Sequence, residues 1–285
     1  MNEVYGIDPS SPKDLKDLKV LFDRFGLAHG RFISRYPSDW DRELFSAFSE
    51  LSDLDRSRLI RLIQLHQTAF LSSSAPFNRS KSWAKNVAEQ RMRTRSFDRI
   101  LAKKPNEENF ETLEEYLWGE HDDPGASRGA FIKMTPESYA NACAPLFECS
   151  SEVHVSDRFF QLRNQSGVMN RKRWSVLRAL VEKAAQTPKC REFVLHFESL
   201  PAISMKTFEM KIVEDLAEIA NEFSFDFSYD IRDAMHHGRY IFSVHGGLQF
   251  DHGFEVAYGQ RNHVHWLSSS ELNHLHVYYG LATRS

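Results

Sequence analysis

Apolar positions in the first part of the chain recur every three or four residues, the spacing that lines one face of a helix. Leu15, Leu18, Phe22 and Phe25 form one such set; Trp40, Leu44, Phe48 and Leu51 form another. Ser52 is placed to cap a third helix in SDLDRSRLIRLIQLHQTAFL, whose Leu and Ile positions keep the same period. The segment SSSAPFNRS breaks the pattern as a loop. A further helix follows, with Trp83, Val87, Phe97, Ile100 and Leu101 among its apolar positions. These runs predict an all-helical N-terminal domain over residues 1–125, suited to assembly or partner binding.

Gly119–Gly129, GEHDDPGASRG, carries a Pro-Gly pair, two further glycines and no apolar period, and reads as a linker. Beyond it the pattern alternates between helix and strand. Thr135-Pro136 provides an N-cap and first-turn proline for a helix running to Cys149. In EVHVSD, Val153 and Val155 fall on one face of a strand and His154 and Ser156 on the other. RKRWSVLRALVEKAAQT, REFVLHFE, KTFEMKIVEDLAEIANEF and SFDFSYD then read as helix, strand, helix and strand. RYIFSVH and LQFDHGFEV read as a hairpin closed by a two-residue Gly246-Gly247 turn. Alternating strands and helices predict an α/β fold with a mixed sheet flanked by helices over residues 131–285.

Composition narrows the class. The aromatic share of 13% and apolar share of 41% are ample for a packed core. Three cysteines, none in a CxxC pair, argue against a disulfide framework or a cysteine-rich zinc site and for a reducing compartment. The opening residues lack a basic start followed by an apolar run, and no apolar run is long enough to span a bilayer. A cytoplasmic protein without a transmembrane segment is expected. The net charge of −3 excludes a globally basic nucleic-acid coat. Charge is nevertheless segregated: nine basic residues lie between Arg158 and Arg191 against Glu182 alone. Seven acids lie between Thr207 and Asp230 against Lys211. Opposite runs can cancel on solvated faces, or the basic run can form a face for phosphate. Arg158, Arg163, Arg171, Lys172 and Arg173 are the candidate phosphate or nucleic-acid contacts. The last three stand where a loop enters a helix N-terminus, which itself favours anions.

The stretch AMHHGRYIFSVHGGLQFDHGFEV holds the candidate chemistry. In His237-Gly238-Arg239 the outer residues share one face of a strand, so an imidazole stands beside a guanidinium. That pair suits a phosphate: arginine supplies a charged planar fork, and histidine can donate a hydrogen bond or attack phosphorus. An ordinary polar strand surface satisfies the same pattern. Asp157, at the end of EVHVSD, can orient His237 or cap the next turn. His263-Val264-His265 and His274-Leu275-His276 each place two imidazoles on one face if the segments are strands, a spacing used by metal ligands. His245, Asp251, His252 and Glu255 can approach one another in the hairpin. No carboxylate or cysteine stands at a recognisable companion spacing, so no metal ligands and no cofactor are expected.

A His-x-Lys/Arg pair, a strand and a Gly-containing turn, after the order of elements from PESYANACAPLF through EVHVSDRFFQ, resembles the phospholipase D-like superfamily. It is most similar to the phospholipase D-like domain at the C-terminus of MIT-domain-containing proteins. The resemblance covers Thr135 to Tyr279. It implies a phosphodiester-handling site with His237 and Arg239 in the catalytic positions; Asp157, at a strand C-terminal end where ligand sites of α/β sheets gather, completes the catalytic candidates. Catalytic members carry His-x-Lys with a downstream Asp, usually twice. Here Arg239 replaces the lysine, Val244 stands at the aspartate position, and no second His-x-Lys occurs. The resemblance therefore implies a degenerate site that binds nucleic acid or an anionic headgroup within a larger assembly, in a setting such as bacterial defence against phage or foreign DNA. The alternatives are a phosphodiesterase or nuclease completed by homodimerisation through His237, and a non-catalytic subunit that binds only protein.

Overall fold

The computed structural model describes residues 2–94, 97–104, 110–119, 129–158, 161–163, 168–199 and 205–281. The chain divides into two compact units, Asn2–Ser127 and Arg128–Ser285. The division falls inside Gly119–Gly129, of which only the two terminal glycines lie among the described residues. Both units are α/β. No helix among the described residues is long and apolar enough to cross a membrane.

The N-terminal unit departs from the all-helical expectation. Five strands, β1 (Glu3–Ile7), β2 (Arg31–Arg35), β3 (Phe70–Ser72), β4 (Arg99–Ala102) and β5 (Glu111–Thr112), form a parallel sheet in the order β3-β2-β1-β4-β5. The predicted helices exist around it: α1 (Leu15–Asp23), α2 (Trp40–Ala47), α3 (Asp53–Leu65) and α4 (Trp83–Thr94), with α5 (Leu113–Trp118) closing the unit. Ser52 caps α3 by accepting from Asp55 N. The strands escape a periodicity reading because they are short and, being parallel, are covered on both faces. RFISR is buried at its first four positions in succession, with no polar alternation to mark it. Ile100 and Leu101, expected on a helix, belong to β4, and α4 stops at Thr94. The apolar stripes of α1, α2 and α3 pack with Tyr5, Ile7, Ile33 and Leu101 of the sheet into one core.

The C-terminal unit has a seven-stranded sheet in the order β6-β12-β11-β10-β7-β8-β9. Strands β7 (Glu152–Asp157), β8 (Glu192–Glu198) and β9 (Asp226–Arg232) are parallel, linked by α7 (Arg171–Ala185) and α8 (Met205–Phe223). Strand β10 (Arg239–Ser243) then returns antiparallel beside β7. Strands β11 (Gly246–Phe250), β12 (Ala257–Trp266) and β6 (Gly129–Met134) complete an antiparallel half. Helix α6 (Pro136–Cys149) starts at the Thr135 cap and lays Tyr139 and Phe147 against Phe250 and Phe193. On the opposite face lies α9 (Ser269–Tyr279), held by a Ser268–Glu271 capping box and ended by Gly280 in the left-handed conformation.

Two local expectations are corrected. The hairpin turn is Val244-His245, because Ser243 pairs with Gly246; Ser243 Oγ accepts from His245 N at 3.1 Å and closes it. Gly246 and Gly247 are strand residues. A Cβ on Gly247 would come within 2.7 Å of Phe242 Cβ and 2.8 Å of Leu267 Cδ1, so glycine there answers a packing demand, not a turn. His274 and His276 lie on helix α9, where residues two apart diverge around the axis. His276 Nε2 meets Ser243 O at 3.0 Å, while the His274 ring lies near that of His236.

The α9 face of β7 and β8 is polar yet buried. His154 Nε2 lies 2.9 Å from Glu152 Oε1, His154 Nδ1 lies 3.0 Å from His196 Nε2, and His196 Nδ1 lies 3.3 Å from Asp230 Oδ2. Phe242 and Tyr279 close over the two rings, and Ser156 Oγ is bonded to the Tyr279 hydroxyl. Burial, followed by repulsion from His154, pushes the His196 imidazole down to about 4. His154 is lowered too, again by burial first. Both rings are thus neutral in the fold at neutral pH. Between the ordinary value near 6.5 and about 4, the unfolded chain takes a proton that His196 in the fold refuses. Stability should therefore fall as pH drops through that window. His196→Gln should make the stability–pH slope, read from urea midpoints, shallower by about one proton. An unchanged slope would mean that the ring is charged in the native state.

Candidate functional site

Ligand sites in α/β sheets gather beyond the C-terminal ends of the parallel strands. In the C-terminal unit those ends are Asp157, Glu198 and Arg232. Because β10 runs antiparallel to β7, its first residue lies beside the last residue of β7, and Arg239 pairs with Asp157. The His-Gly-Arg segment is thereby delivered to the ends of β7 and β8.

The side chain that reaches the His237 ring is Arg158, whose Nη1 lies 3.0 Å from Nδ1 and 3.2 Å from Nε2. Nη1 is nearly equidistant from the two nitrogens, so the guanidinium lies at the ring edge between them and can donate to whichever one carries the lone pair. Arg158 Nη2 donates to Glu198 Oε1 at 2.8 Å, and Glu198 Oε2 accepts from Met235 N at 3.2 Å. Glu198 was not singled out from sequence; its place at the end of REFVLHFE is the signal that could have found it. Asp157 is buried; its Oδ1 stands 4.0 Å from Arg239 Nε and its Oδ2 accepts from Phe254 N at 3.4 Å. Arg239 Nη1 donates to the Asp251 carbonyl at 3.0 Å. The loop that supplies these backbone groups is clamped from α6 and β12. The Tyr139 hydroxyl donates to Gly253 O, and the buried Asn262 brackets His252 through both its N–H and its carbonyl.

The structure thus brings together His237, Arg239, Asp157 and Arg158 at one sheet end. His237 is exposed and Arg239 half-buried. The basic residues expected on α7 divide. Arg171 and Lys172 are exposed in its first turn. Arg173 Nε lies 3.7 Å from Glu255. Arg163 is turned elsewhere: its Nε and Nη2 both reach the buried Asp215 on α8, so it neutralises a buried carboxylate. Asp215 was the signal missed, an acid on the apolar side of a helix.

Gly238 is fixed by a close approach. A Cβ there would lie 2.1 Å from the Tyr240 ring and hydroxyl. The Tyr240 hydroxyl lies 3.2 Å from His236 Nδ1, which also accepts from Gly238 N at 3.1 Å. His236 is therefore a loop-shaping residue; burial, then the charges of His274 and His237, hold its ring below the ordinary histidine value.

The N-terminal unit carries a cleft that the helical reading concealed. It has a volume of about 430 Å³ and is lined by Asp8, Pro9 and Ser10 after β1, Pro37 after β2, Glu43 of α2, and Phe77, Arg79 and Trp83. Asp8 Oδ1 accepts from Ser10 N and Oγ, and Arg79 bridges Asp39 and Glu43. The cleft offers carboxylates, one guanidinium and two aromatic walls at the strand ends of a doubly wound sheet.

No family model matches the chain, and no curated protein matches it. One solved structure similar to it is that of TrmBL2, an archaeal chromatin protein described as showing a novel mode of DNA binding. That match has 12% identity, covers 82% of this chain and 83% of the other, and has a TM-score of 0.27.

Gly238→Ala should destabilise the C-terminal unit by about 1–3 kcal/mol through overpacking against Tyr240. In Gly238→Ala/Tyr240→Ala the combined loss should be smaller than the sum of the single losses by at least about 0.5 kcal/mol. Additive losses would remove the steric account of this glycine.

Proposed function

We propose that the C-terminal unit binds phosphodiester groups, with single-stranded or duplex nucleic acid as its ligand, at the joined ends of β7, β8 and β10. On this reading Arg158 and Arg239 hold phosphate oxygens, His237 contributes a hydrogen bond, and Asp157 and Glu198 set the two guanidinium groups in place. Arg171 and Lys172 extend the contact along the backbone. The exposed first turn of α7 adds its own main-chain N–H groups, one of them already taken by the Asn170 cap.

One observation supports the choice of binding over cleavage: the Arg158 guanidinium stands against the His237 ring, with Nη1 3.0 Å from Nδ1 and 3.2 Å from Nε2, where it crowds the approach of a phosphorus to either nitrogen. A histidine that attacks phosphorus needs a free lone pair on the attacking nitrogen. Arg239 in place of lysine and Val244 in place of aspartate point the same way.

The test is fluorescence anisotropy with labelled single-stranded and duplex oligonucleotides over a salt series, alongside anionic vesicles and a chromogenic phosphodiester. Arg171→Ala/Lys172→Ala should weaken oligonucleotide binding and flatten the log–log salt slope by about 0.7–0.9 for each phosphate contact removed. Arg158→Ala should weaken binding further without any hydrolysis appearing or disappearing. Affinity unchanged in Arg158→Ala/Arg171→Ala/Lys172→Ala would overturn the site, and vesicle binding alone would reassign the ligand to a lipid headgroup. Hydrolysis by the unaltered protein that is lost in His237→Ala would replace binding with catalysis.

A further inference from the structure

The His-x-His pair of β12 finds its missing companion on the neighbouring strand. In the β11–β12 register Gln249 pairs with His265 and Phe250 with Val264. Continuing that register puts Asp251 opposite His263, and Asp251 N donates to His263 O at 3.0 Å. Residues directly opposite in an antiparallel pair share a face, so the Asp251 carboxylate and the imidazoles of His263 and His265 converge. One ligand atom from each lies within 4.8 Å of the others. Spacing along the chain could not reveal this, because eleven residues, a loop among them, lie between Asp251 and His263.

We propose that Asp251, His263 and His265 hold a single divalent transition-metal ion of the zinc class. The donor set of two imidazoles and one carboxylate suits zinc and its neighbours, not calcium or magnesium, which take oxygen ligands alone. Around a tetrahedral ion with bonds of about 2.0–2.1 Å, ligand atoms stand about 3.3 Å apart. The His263 Nδ1 to Asp251 Oδ2 separation is 3.4 Å, already that of a ligand pair. His265 Nδ1 is buried with no hydrogen-bond partner among the described residues, a cost that coordination or a shared water would offset. Gly129, across from His265 on β6, keeps the space clear: a Cβ there would come within 2.7 Å of His263 Nε2 and 3.2 Å of His265 Cβ. Asp251 is half exposed and His263 one-third exposed, so an ion can enter from solution. Three protein ligands leave a fourth position for water or an anionic oxygen, the pattern of an open site.

This inference stands independently of the phosphate reading. Its test is titration of the full chain, without a polyhistidine tag, with Co²⁺ followed by visible absorption and with Zn²⁺ followed by calorimetry. The expected result is one ion per chain, a tetrahedral cobalt spectrum, and a thermal midpoint that rises with Zn²⁺. Asp251→Asn, His263→Gln and His265→Gln should each weaken binding by at least about tenfold. His252→Ala and His274→Ala should leave it unchanged. Failure of the unaltered chain to bind either ion would overturn the proposal. So would equal binding by Asp251→Asn and His263→Gln, both exposed enough to fold without their native side chains.

Discussion

The C-terminal unit depends on one strand pairing: β10 returning antiparallel along β7 with Arg239 opposite Asp157. A parallel strand ends in a loop that must leave the sheet, so its last side chains stand at an open rim. An antiparallel neighbour begins at that same rim. The pairing therefore sets an outgoing Asp157-Arg158 beside an incoming His237-Gly238-Arg239. A slip of one residue would exchange the faces of every side chain on β10. It would drive Arg239 toward the buried face that Tyr240 and Phe242 now occupy with Tyr279 and α9. The register of the site and the packing of the sheet are the same fact.

The cluster is close to internal neutrality. Glu198 answers Arg158, and Asp157 stands beside Arg239. Under the proposed reading, a phosphate would have to exchange with a carboxylate instead of filling a bare positive pocket. Long-range attraction would then rest on the exposed Arg171 and Lys172, and short-range affinity on how readily Glu198 yields Arg158, so that steering and grip would come from different residues.

How much of this was legible in the sequence varies with the kind of signal. EVHVSD, REFVLHFE and the helices between them declared themselves, because in this half the elements are long and their polar positions keep a period. The Thr135-Pro136 start of α6 was equally plain. The N-terminal strands were hidden: EVYGI, RFISR, FLS and RILA are too short and too evenly covered to show alternation. Glycine misled at Gly246-Gly247, where the demand is for space beside Phe242 and not for a turn conformation. At the site, His237, Arg239, Asp157 and Arg158 could be picked out because they sit at element ends. Glu198, Asp215 and Asp251 could not be assigned partners, since each acts across strands or helices in a register that only folding defines.

The buried series from Glu152 to Asp230 has an arithmetic of its own. It contains three links but, with both rings neutral, only two protons to fill them. A carboxylate cannot donate, so the Glu152 link and the Asp230 link each call for a ring proton, and the link between the two rings calls for a third. One link must go without. The Asp230 contact is the longest, 3.3 Å against 2.9 and 3.0 Å, and Asp230 is also served by Arg232. Because the two rings meet each other, the proton position on one constrains the other. The tautomers of His154 and His196 are therefore a joint property of the pair, set by the two acids at its ends.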